Sequence, residues 1–309
     1  MRLTLRQLQI FTAVANTGST TAAAQLVALS QSATSNALNE LESLLNARLF
    51  DRIGKRLVIN DVGRALLPQV RALLDSAVSI ENQFGIDSDG HSGVGSTTQL
   101  RIAASTTIGN YLLPGIIASY LNTLPEPARN NQHIDVSIGN SSEIAAIVAR
   151  MEVDVGLIEG PCHEPDLEAR PWLEDKLVIV CAPFHPLAKR DLNTRVVFKE
   201  LRQQRWLLRE PGSGTREVVE AALLPHLHQW DQSMQLGSTE SIKQAAAEGL
   251  GVTCLSLCAV QDLIHLQRLV VVNTTLPRLT RRFYLIHHRK KQFSSSLRHF
   301  INHCAKAID

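Results

Sequence analysis

The amino-acid sequence predicts an α/β fold in three parts. Residues 1–60 contain short helical stretches, separated by turn residues and followed by two short β-like segments. Residues 61–87 form one long stretch whose apolar residues alternate spacings of four and three, which is typical of a coiled-coil helix. From Gln99 onward, short apolar runs alternate with helical stretches, which indicates an α/β region.

Three short helices are predicted first. Leu5–Asn16 carries an apolar stripe at helical spacing, and Gly18 follows as a residue that ends helices. Serine caps are available for a second helix over 20–27 and a third that runs to about Leu45. The spacing predicts an inner face of the third helix made of Ala33, Ala37, Leu38, Leu41, Leu44 and Leu45.

Two β segments within Leu49–Ile59 meet at a turn around Gly54. Three cations flank this turn: Arg52, Lys55 and Arg56. Residues 1–60 carry a surplus of three positive charges, although the whole chain carries only +2. The pattern predicts a basic β wing beside a helix-turn-helix.

Asn60 is suited to cap a long helix from Asp61 to about Phe84. A coiled-coil seam needs a partner, most simply a second copy of the same helix. The seam residues are Leu66, Val70, Leu73, Ala77 and Ile80. Ser88–Ser96 is rich in glycine and serine, which predicts a flexible hinge.

The remaining part, about 210 residues, is long enough for two lobes. Its helices between strands predict mostly parallel sheets. The β-like runs are Leu100–Ala104, Ile134–Ile138, Val153–Ile158, Leu177–Ala182, Trp206–Leu208, Met234–Leu236, Gly251–Leu255, Leu269–Val272 and Phe283–His287.

Composition indicates a cytoplasmic protein. The five cysteines are sparse and mostly lie in apolar runs, which is typical of buried thiols in a reducing compartment. The N-terminal residues do not resemble a signal peptide, and no apolar run is long enough to cross a membrane. No metal-ligand cluster or cofactor fingerprint is recognised, so neither a metal nor a cofactor is expected.

The start of the third helix favours contact with DNA, because its outer face is short, polar and uncharged. The wing cations could bind phosphates or enter the minor groove. The alternative is a small capped helical bundle with a polar face. The candidate DNA-binding residues are Thr20, Thr21, Gln31, Ser32, Thr34, Ser35, Asn36, Arg52, Lys55 and Arg56.

Four hydroxyl- or amide-rich segments, called the openings below, follow predicted strands and start helices: 105–107, 140–142, 212–216 and 237–241. Each offers free backbone N–H groups and a positive helix dipole, which suit an anion, although any one of them could be only a helix cap. Arg216 is the cation that lies within one of these openings. Lys243 lies one helical turn after the start of another opening and could be a solvated surface charge. Glu159 would orient a donor, because a carboxylate opposes an anion. The candidate ligand-binding residues are Ser105, Thr106, Thr107, Asn140, Ser141, Ser142, Glu159, Ser213, Thr215, Arg216, Thr239 and Glu240.

Several N-terminal runs carry a family resemblance: Leu5–Phe11, Ser19–Ala24, Leu29–Ala33, Leu41–Glu42 and Leu49–Arg52. Together they resemble LysR-type transcriptional regulators, and the order of the three parts extends the resemblance over the whole chain. Asn60 departs from the family's usual threonine, but both residues cap helices.

The resemblance implies a winged helix-turn-helix, a dimer made through the linker helices, and commonly a tetramer that binds inverted-repeat operators in double-stranded DNA. It also implies an effector-binding domain like a periplasmic binding protein, with two lobes and two crossover strands. Ser105–Pro114, Ile158–His163 and Arg209–Glu217 are similar to the sulfur- and carbon-assimilation branch, especially its sulfite-responsive members. This similarity implies a small inorganic oxyanion as effector.

The expected domains are a DNA-binding domain over 1–60, a dimerisation helix over 61–87, a hinge over 88–98 and an effector domain over 99–309. Lobe I would hold about 99–162 with 268–309, and lobe II about 163–267. Two alternatives use the same cleft: a cytosolic small-molecule binding protein and an enzyme. A recognisable catalytic order of residues is missing, which disfavours the enzyme.

Overall fold

The computed structural model describes residues 3–54, 56–83, 98–189 and 195–306. The chain divides into two compact units. The first unit comprises residues 1–96 with the segment 290–294, and the second comprises 97–289 with 295–309. Each unit has its own apolar core.

The first unit begins with three helices: α1 (Leu5–Thr17), α2 (Thr20–Leu26) and α3 (Gln31–Leu45). Thr4 and Gln7 form a capping box at the start of α1. Gly18 ends α1 in the left-handed region, with φ 66°, which a residue with a side chain rarely adopts. Serine side chains accept hydrogen bonds at the starts of α2 and α3, as the sequence predicts.

The inner face of α3 differs from the prediction. Thr34 is fully buried together with Leu38 and Leu41, whereas Ala33 and Leu44 are exposed. Positions 34, 38 and 41 alternate spacings of four and three, so they form the buried stripe. The prediction gave Thr34 to the outer face because of its polarity. Its hydroxyl is satisfied inside the helix by the Ser30 carbonyl, at 3.0 Å.

The wing consists of two antiparallel strands, β1 (Phe50–Ile53) and β2 (Arg56–Ile59). Gly54 makes the turn with φ 62°. The Leu57 amide donates to the Gly18 carbonyl at 2.9 Å, which ties the wing to the end of α1. Lys55, a predicted DNA contact, lies outside the described residues.

The long helix α4 spans Asp61–Gln83, and the Asn60 side chain accepts from the Gly63 amide at its start. The predicted seam divides into two parts. Val70 is buried in the core of the first unit, whereas Leu73 and Ile80 are 54% and 58% exposed. The later part of the seam is therefore an apolar surface of the single chain.

The second unit alternates strands and helices. Its elements in order are β3 (Thr98–Ser105), α5 (Thr106–Tyr111), α6 (Leu113–Asn122), α7 (Glu126–Asn130), β4 (Gln132–Gly139), α8 (Ser141–Ala149), β5 (Val155–Glu159), β6 (Leu167–Cys181), α9 (Phe198–Arg202), β7 (Arg205–Leu208), α10 (Gly214–Leu227), β8 (Gln232–Gln235), α11 (Thr239–Ala247), β9 (Thr253–Ser256), α12 (Leu257–His265), β10 (Val270–Val271), β11 (Thr280–His288) and α13 (Ser295–Lys306).

One seven-stranded sheet has the order β10–β6–β11–β5–β3–β4, with β9 also paired to β6. Strands β3, β4 and β5 are parallel, and so are β7 and β8 in a separate pair. Among the described residues of this unit, every antiparallel pairing involves β6 or β11. Three of these seven strand pairings are parallel and four are antiparallel, so the prediction of mostly parallel sheets is only partly confirmed.

Strand β6 connects two lobes. Its first residue, Leu167, belongs to an apolar core that also contains Ile286 from β11. Its last part supplies Leu177, Ile179 and Cys181 to a second core built around Trp206. The sequence identified only the apolar end of β6, because the residues before it include charged side chains that are exposed.

Candidate nucleic-acid interface and ligand site

The start of α3 presents exposed polar side chains. Gln31, Ser32 and Asn36 are exposed, and Ser35 is half-buried. The Ser30 hydroxyl accepts from the Ala33 amide at 3.2 Å and fixes this turn. Uncharged donors and acceptors at the first turns of such a helix can reach base edges in a major groove.

The start of α2 lies beside this surface. The Gln31 side-chain amide donates to the Thr20 hydroxyl at 3.1 Å, and Thr21 is exposed. Arg52 and Arg56 are exposed on the wing. The sequence also predicts Thr34 as a DNA contact, and this is wrong. Thr34 lies on the buried side of α3, so it is not available to DNA.

A contact that sequence reasoning missed holds the wing against α3. The buried Glu42 carboxylate accepts from the Leu49 amide at 2.7 Å and pairs with Arg48 at 2.8 Å. It therefore fixes the chain just before β1 starts. Glu42 is named in the sequence motif, but its partner becomes evident only when α3 and β1 are seen together.

In the second unit, the carboxyl ends of the parallel strands lie at common edges. Ser105 at the end of β3 pairs in register with Gly139 at the end of β4. Likewise Leu208 at the end of β7 pairs with Gln235 at the end of β8. The four predicted openings follow these ends, where ligands bind in open α/β sheets.

Glu159 joins two of the openings. Its carboxylate accepts from the Thr107 amide at 3.1 Å and hydroxyl at 3.0 Å, and from the Thr215 hydroxyl at 2.5 Å. Arg281 forms a buried ion pair with it. Burial raises the pKa of Glu159, but Arg281 and these hydrogen bonds outweigh burial and hold the pKa below its ordinary value. Glu159 thus orients donors, as the sequence suggested, from a buried position.

Sequence reasoning missed Arg281. It is 5% exposed on β11 and also pairs with Asp175 at 2.7 Å, whose carboxylate accepts from Ser256 at 2.6 Å. Two carboxylates therefore face one guanidinium in the interior. The available signal was strand alternation, which puts Arg281 on the same face as the buried Phe283.

Arg209 is a further buried cation at the openings, which the sequence did not single out as it did Arg216. It is 3% exposed and follows β7 directly. Its guanidinium donates to the Thr239 hydroxyl at 2.7 Å and the Thr106 hydroxyl at 3.3 Å. It also forms two hydrogen bonds of 2.8 Å with Glu210.

The Arg216 guanidinium is half-buried and engaged elsewhere. It contacts Glu220 at 2.9 Å, the Gln235 side chain at 2.9 Å and the Arg209 carbonyl at 3.0 Å. The helix geometry explains this, because residues four apart share a face and Glu220 captures the guanidinium. Arg216 therefore holds the segment that carries Arg209.

The other openings also meet. The Ser142 amide donates to the Gly212 carbonyl at 3.0 Å, and the Ser141 hydroxyl donates to the Glu159 carbonyl at 3.0 Å. Asn140 caps α8 and Ser213 caps α10. The four predicted openings are therefore linked, one pair directly through Ser142 and Gly212 and the others through Glu159 and Arg209, although their role in binding stays a prediction.

Two further observations concern the same region. The Ser105 hydroxyl is buried and has no hydrogen-bond partner among the described residues. Glu240 contacts the Tyr111 hydroxyl and pairs with Lys243 at 3.1 Å. Lys243 is only 2% exposed and also pairs with Asp262 at 3.0 Å, so it is a buried, paired cation and not a solvated surface charge.

Two family models match the chain. Residues 5–64 match the bacterial regulatory helix-turn-helix protein of the lysR family, and residues 94–309 match the LysR substrate binding domain. The chain belongs to the LysR family of DNA-binding transcriptional regulators, which carry a domain for a small-molecule effector. Members of this family are transcriptional regulators and not enzymes.

Individual relatives agree with this assignment. The chain is 45% identical over 307 residues to the HTH-type transcriptional regulator YeiE of Escherichia coli strain K12, and the match covers 99% of both chains. A full-length variant of OxyR from Pseudomonas aeruginosa matches with TM-score 0.78 and 22% identity, covering 100% of this chain and 95% of that one. The regulatory domain of Synechocystis PCC6803 CcmR, solved with 2-PG, matches with TM-score 0.61 and 25% identity, covering 68% of this chain and 97% of that one. No helix in the described part of the chain is long and apolar enough to cross a membrane.

Proposed function

We propose that this regulator senses a small inorganic oxyanion, with sulfite as the first candidate, at a site formed by Arg209, Thr106, Thr239 and Ser105. Binding of the anion would change the affinity of the protein for its operator. The observation that carries the proposal is the buried guanidinium of Arg209, which contacts hydroxyls from two different strand ends.

The chemistry around Arg209 supports an anion over a neutral ligand. A guanidinium presents N–H groups that match two oxygens of an oxyanion. Thr239 opens α11, and the capping residue Ser238 makes no side-chain hydrogen bond there. The N–H groups and dipole of that helix end therefore remain favourable for negative charge. The Ser105 hydroxyl, next to Thr106 in the chain, is a buried group in need of a partner.

The identity of the anion rests on similarity. The sequence runs at 105–114, 158–163 and 209–217 are similar to a sulfite-responsive branch of the family, and the chain is 45% identical to YeiE. The related domain of CcmR was solved in complex with 2-PG. Sulfate and phosphate also present pairs of oxygens to a guanidinium, so the experiment must compare both anions with sulfite.

On the DNA side, we propose a dimer that uses the exposed half of the α4 seam, including Leu73 and Ile80. Two copies would place their α3 helices in major grooves about one helical turn, ~34 Å, apart or a multiple of it, on an inverted-repeat operator. A tetramer would follow if two such dimers associate. The proposal includes the domain and lobe boundaries that the sequence predicts. It also includes a cytoplasmic location for the protein, because the operator lies there.

The effector would act by differential affinity. If the anion binds one arrangement of the assembled subunits better than another, it shifts the population toward that arrangement and thereby changes DNA binding. Reciprocally, operator DNA must change the affinity for the anion by the same factor.

Calorimetry of the full chain with sulfite, sulfate, phosphate and acetate tests the proposal, followed by a DNA-binding titration on the gene's own upstream region. We expect heat from at least one inorganic anion and a change in operator affinity at the same concentration. Arg209→Gln should abolish both effects. The matched control is Arg268→Gln, which removes the same charge from an exposed pair with Glu248. Absence of heat from all inorganic anions would refute the proposal.

A further inference from the structure

Glu210 engages Arg209 in a way that bears on what the proposed site can bind. Its two carboxylate oxygens accept from Nε and Nη2 of Arg209, each at 2.8 Å. These two N–H groups form one edge of the planar guanidinium, the edge that fits a pair of oxygens. The remaining contacts of Arg209 run from Nη1 to Thr239 and from Nη2 to Thr106.

The two partners differ in exposure. The Arg209 side chain is 2% exposed, whereas that of Glu210 is 21% exposed. A buried guanidinium requires a negative partner, because an unpaired charge in the interior is strongly unfavourable. A partly exposed carboxylate can leave and be hydrated at much smaller cost. The pair is therefore asymmetric: Arg209 must keep an anionic partner, but Glu210 can be replaced.

We propose that Glu210 is a specificity-determining residue that competes with the effector for the two-donor edge of Arg209. This inference rests on the proposed function of the site. An oxyanion that presents two oxygens at the spacing of a carboxylate can displace Glu210 and keep both hydrogen bonds. A ligand with a single charged atom, such as a halide, cannot replace both bonds and is excluded by the same carboxylate.

Hydrogen bonds to the backbone around Glu210 would remain while an anion replaces its carboxylate. The Glu210 carbonyl accepts from the Ser213 amide at 3.2 Å, and the Arg209 carbonyl accepts from Arg216 at 3.0 Å. The backbone on either side of the Glu210 side chain is thus tied independently of its carboxylate. Rotation of the Glu210 side chain alone is enough to expose the guanidinium edge.

Glu210→Gln tests the competition, because glutamine keeps the size of the side chain and removes its charge. We expect the dissociation constant for sulfite or sulfate, measured by calorimetry on the full chain, to fall about tenfold, the factor that corresponds to one charge-assisted pair of moderate strength. The matched control is Glu248→Gln, which removes the same charge from an exposed pair with Arg268 and should leave the constant unchanged.

Three outcomes are distinguishable. Tighter binding in Glu210→Gln alone supports the competition. Binding that is equal or weaker in Glu210→Gln, while the unaltered protein binds the anion, overturns the role of Glu210 and leaves the oxyanion site standing. Failure of both forms to bind any inorganic oxyanion overturns the oxyanion site and the role of Glu210 together. Thermal melting of each variant shows that the fold is intact.

Discussion

The two units use polar residues in opposite ways. In the first unit, the side chains suited to DNA are exposed and uncharged at the start of α3, with cations on the adjacent wing. In the second unit, the charges at the proposed ligand site are buried. Glu159 pairs with Arg281, which is 122 residues away in the sequence, whereas Arg209 pairs with the adjacent Glu210 and reaches the distant hydroxyls of Thr106 and Thr239. The surface proposed to contact DNA therefore follows from local sequence, whereas the proposed ligand site depends largely on contacts that only the fold brings together.

The largest expected effect comes from breaking the buried charge cluster. Arg281→Met should lower the free energy of unfolding of the second unit by about 3–5 kcal/mol, because Glu159 and Asp175 would be left without their partner. Urea unfolding followed by tryptophan fluorescence measures it, since all three tryptophans lie in this unit. The neighbouring Arg282 is exposed, so Arg282→Met is the control and should have little effect. Equal losses would contradict the role given to Arg281.

A second prediction concerns the close approach of α10 to β5. A Cβ at Gly214 would lie 1.8 Å from the Glu159 carbonyl oxygen, so Gly214→Ala forces the two segments apart. We expect a loss of about 1–3 kcal/mol in the same unfolding measurement, as for overpacked sites. A Cβ at Gly237 meets no atom within 4 Å, and Gly237→Ala should be tolerated. Equal unfolding free energies for Gly214→Ala and Gly237→Ala would show that α10 is not packed tightly against β5.

The DNA-binding unit should separate specificity from affinity. Asn36→Ala should reduce discrimination between operator and random DNA by about 1–3 kcal/mol, because a base contact is lost. Arg52→Ala should weaken binding to both DNAs similarly and reduce the salt dependence, because only a phosphate contact is lost. Fluorescence anisotropy on the two duplexes at several salt concentrations measures both. Parallel losses on operator and random DNA for both variants would refute this division of roles.

The smallest expected effect is a pH dependence from Glu159. Its pKa is lowered in the folded state, so its ionised form contributes stability above the unfolded pKa of about 4.3, and this contribution is lost as the pH falls through the lower folded pKa. The stability advantage of the unaltered protein over Glu159→Gln should therefore shrink on acidification from about pH 6 toward about pH 3. A constant difference across this range, measured by urea unfolding, would be inconsistent with an ionised Glu159.

The contrast between local patterns and distant contacts also explains which features of the fold the sequence predicts correctly. Helix caps at Ser19 and Ser30, the wing turn at Gly54 and the strands of the second unit follow from local patterns, and the structure has them. The prediction for Thr34 is wrong because its position in the helical repeat, three and four residues from other buried positions, decides its burial more than its polarity does. The first part of β6, before Leu177, was missed because charged side chains interrupt the apolar pattern there.

The two arginines after β7, Arg209 and Arg216, show the limit of local reasoning. The sequence favours Arg216 because it lies inside a serine- and glycine-rich opening, whereas in the structure its guanidinium pairs with Glu220 one turn later. Arg209 directly follows an apolar run, and only the fold brings it to Thr106 and Thr239, which are 103 and 30 residues away in the sequence. Both arginines follow β7 within a few residues, so their position in the sequence does not show which of them is buried.

A crystal structure of the full chain grown with sulfite tests the central claim most directly. We expect density for the anion on Nε and Nη2 of Arg209, beside Thr106 and Thr239, with the Glu210 carboxylate turned away. An anion bound elsewhere in the second unit, with the pair between Arg209 and Glu210 intact, would contradict it.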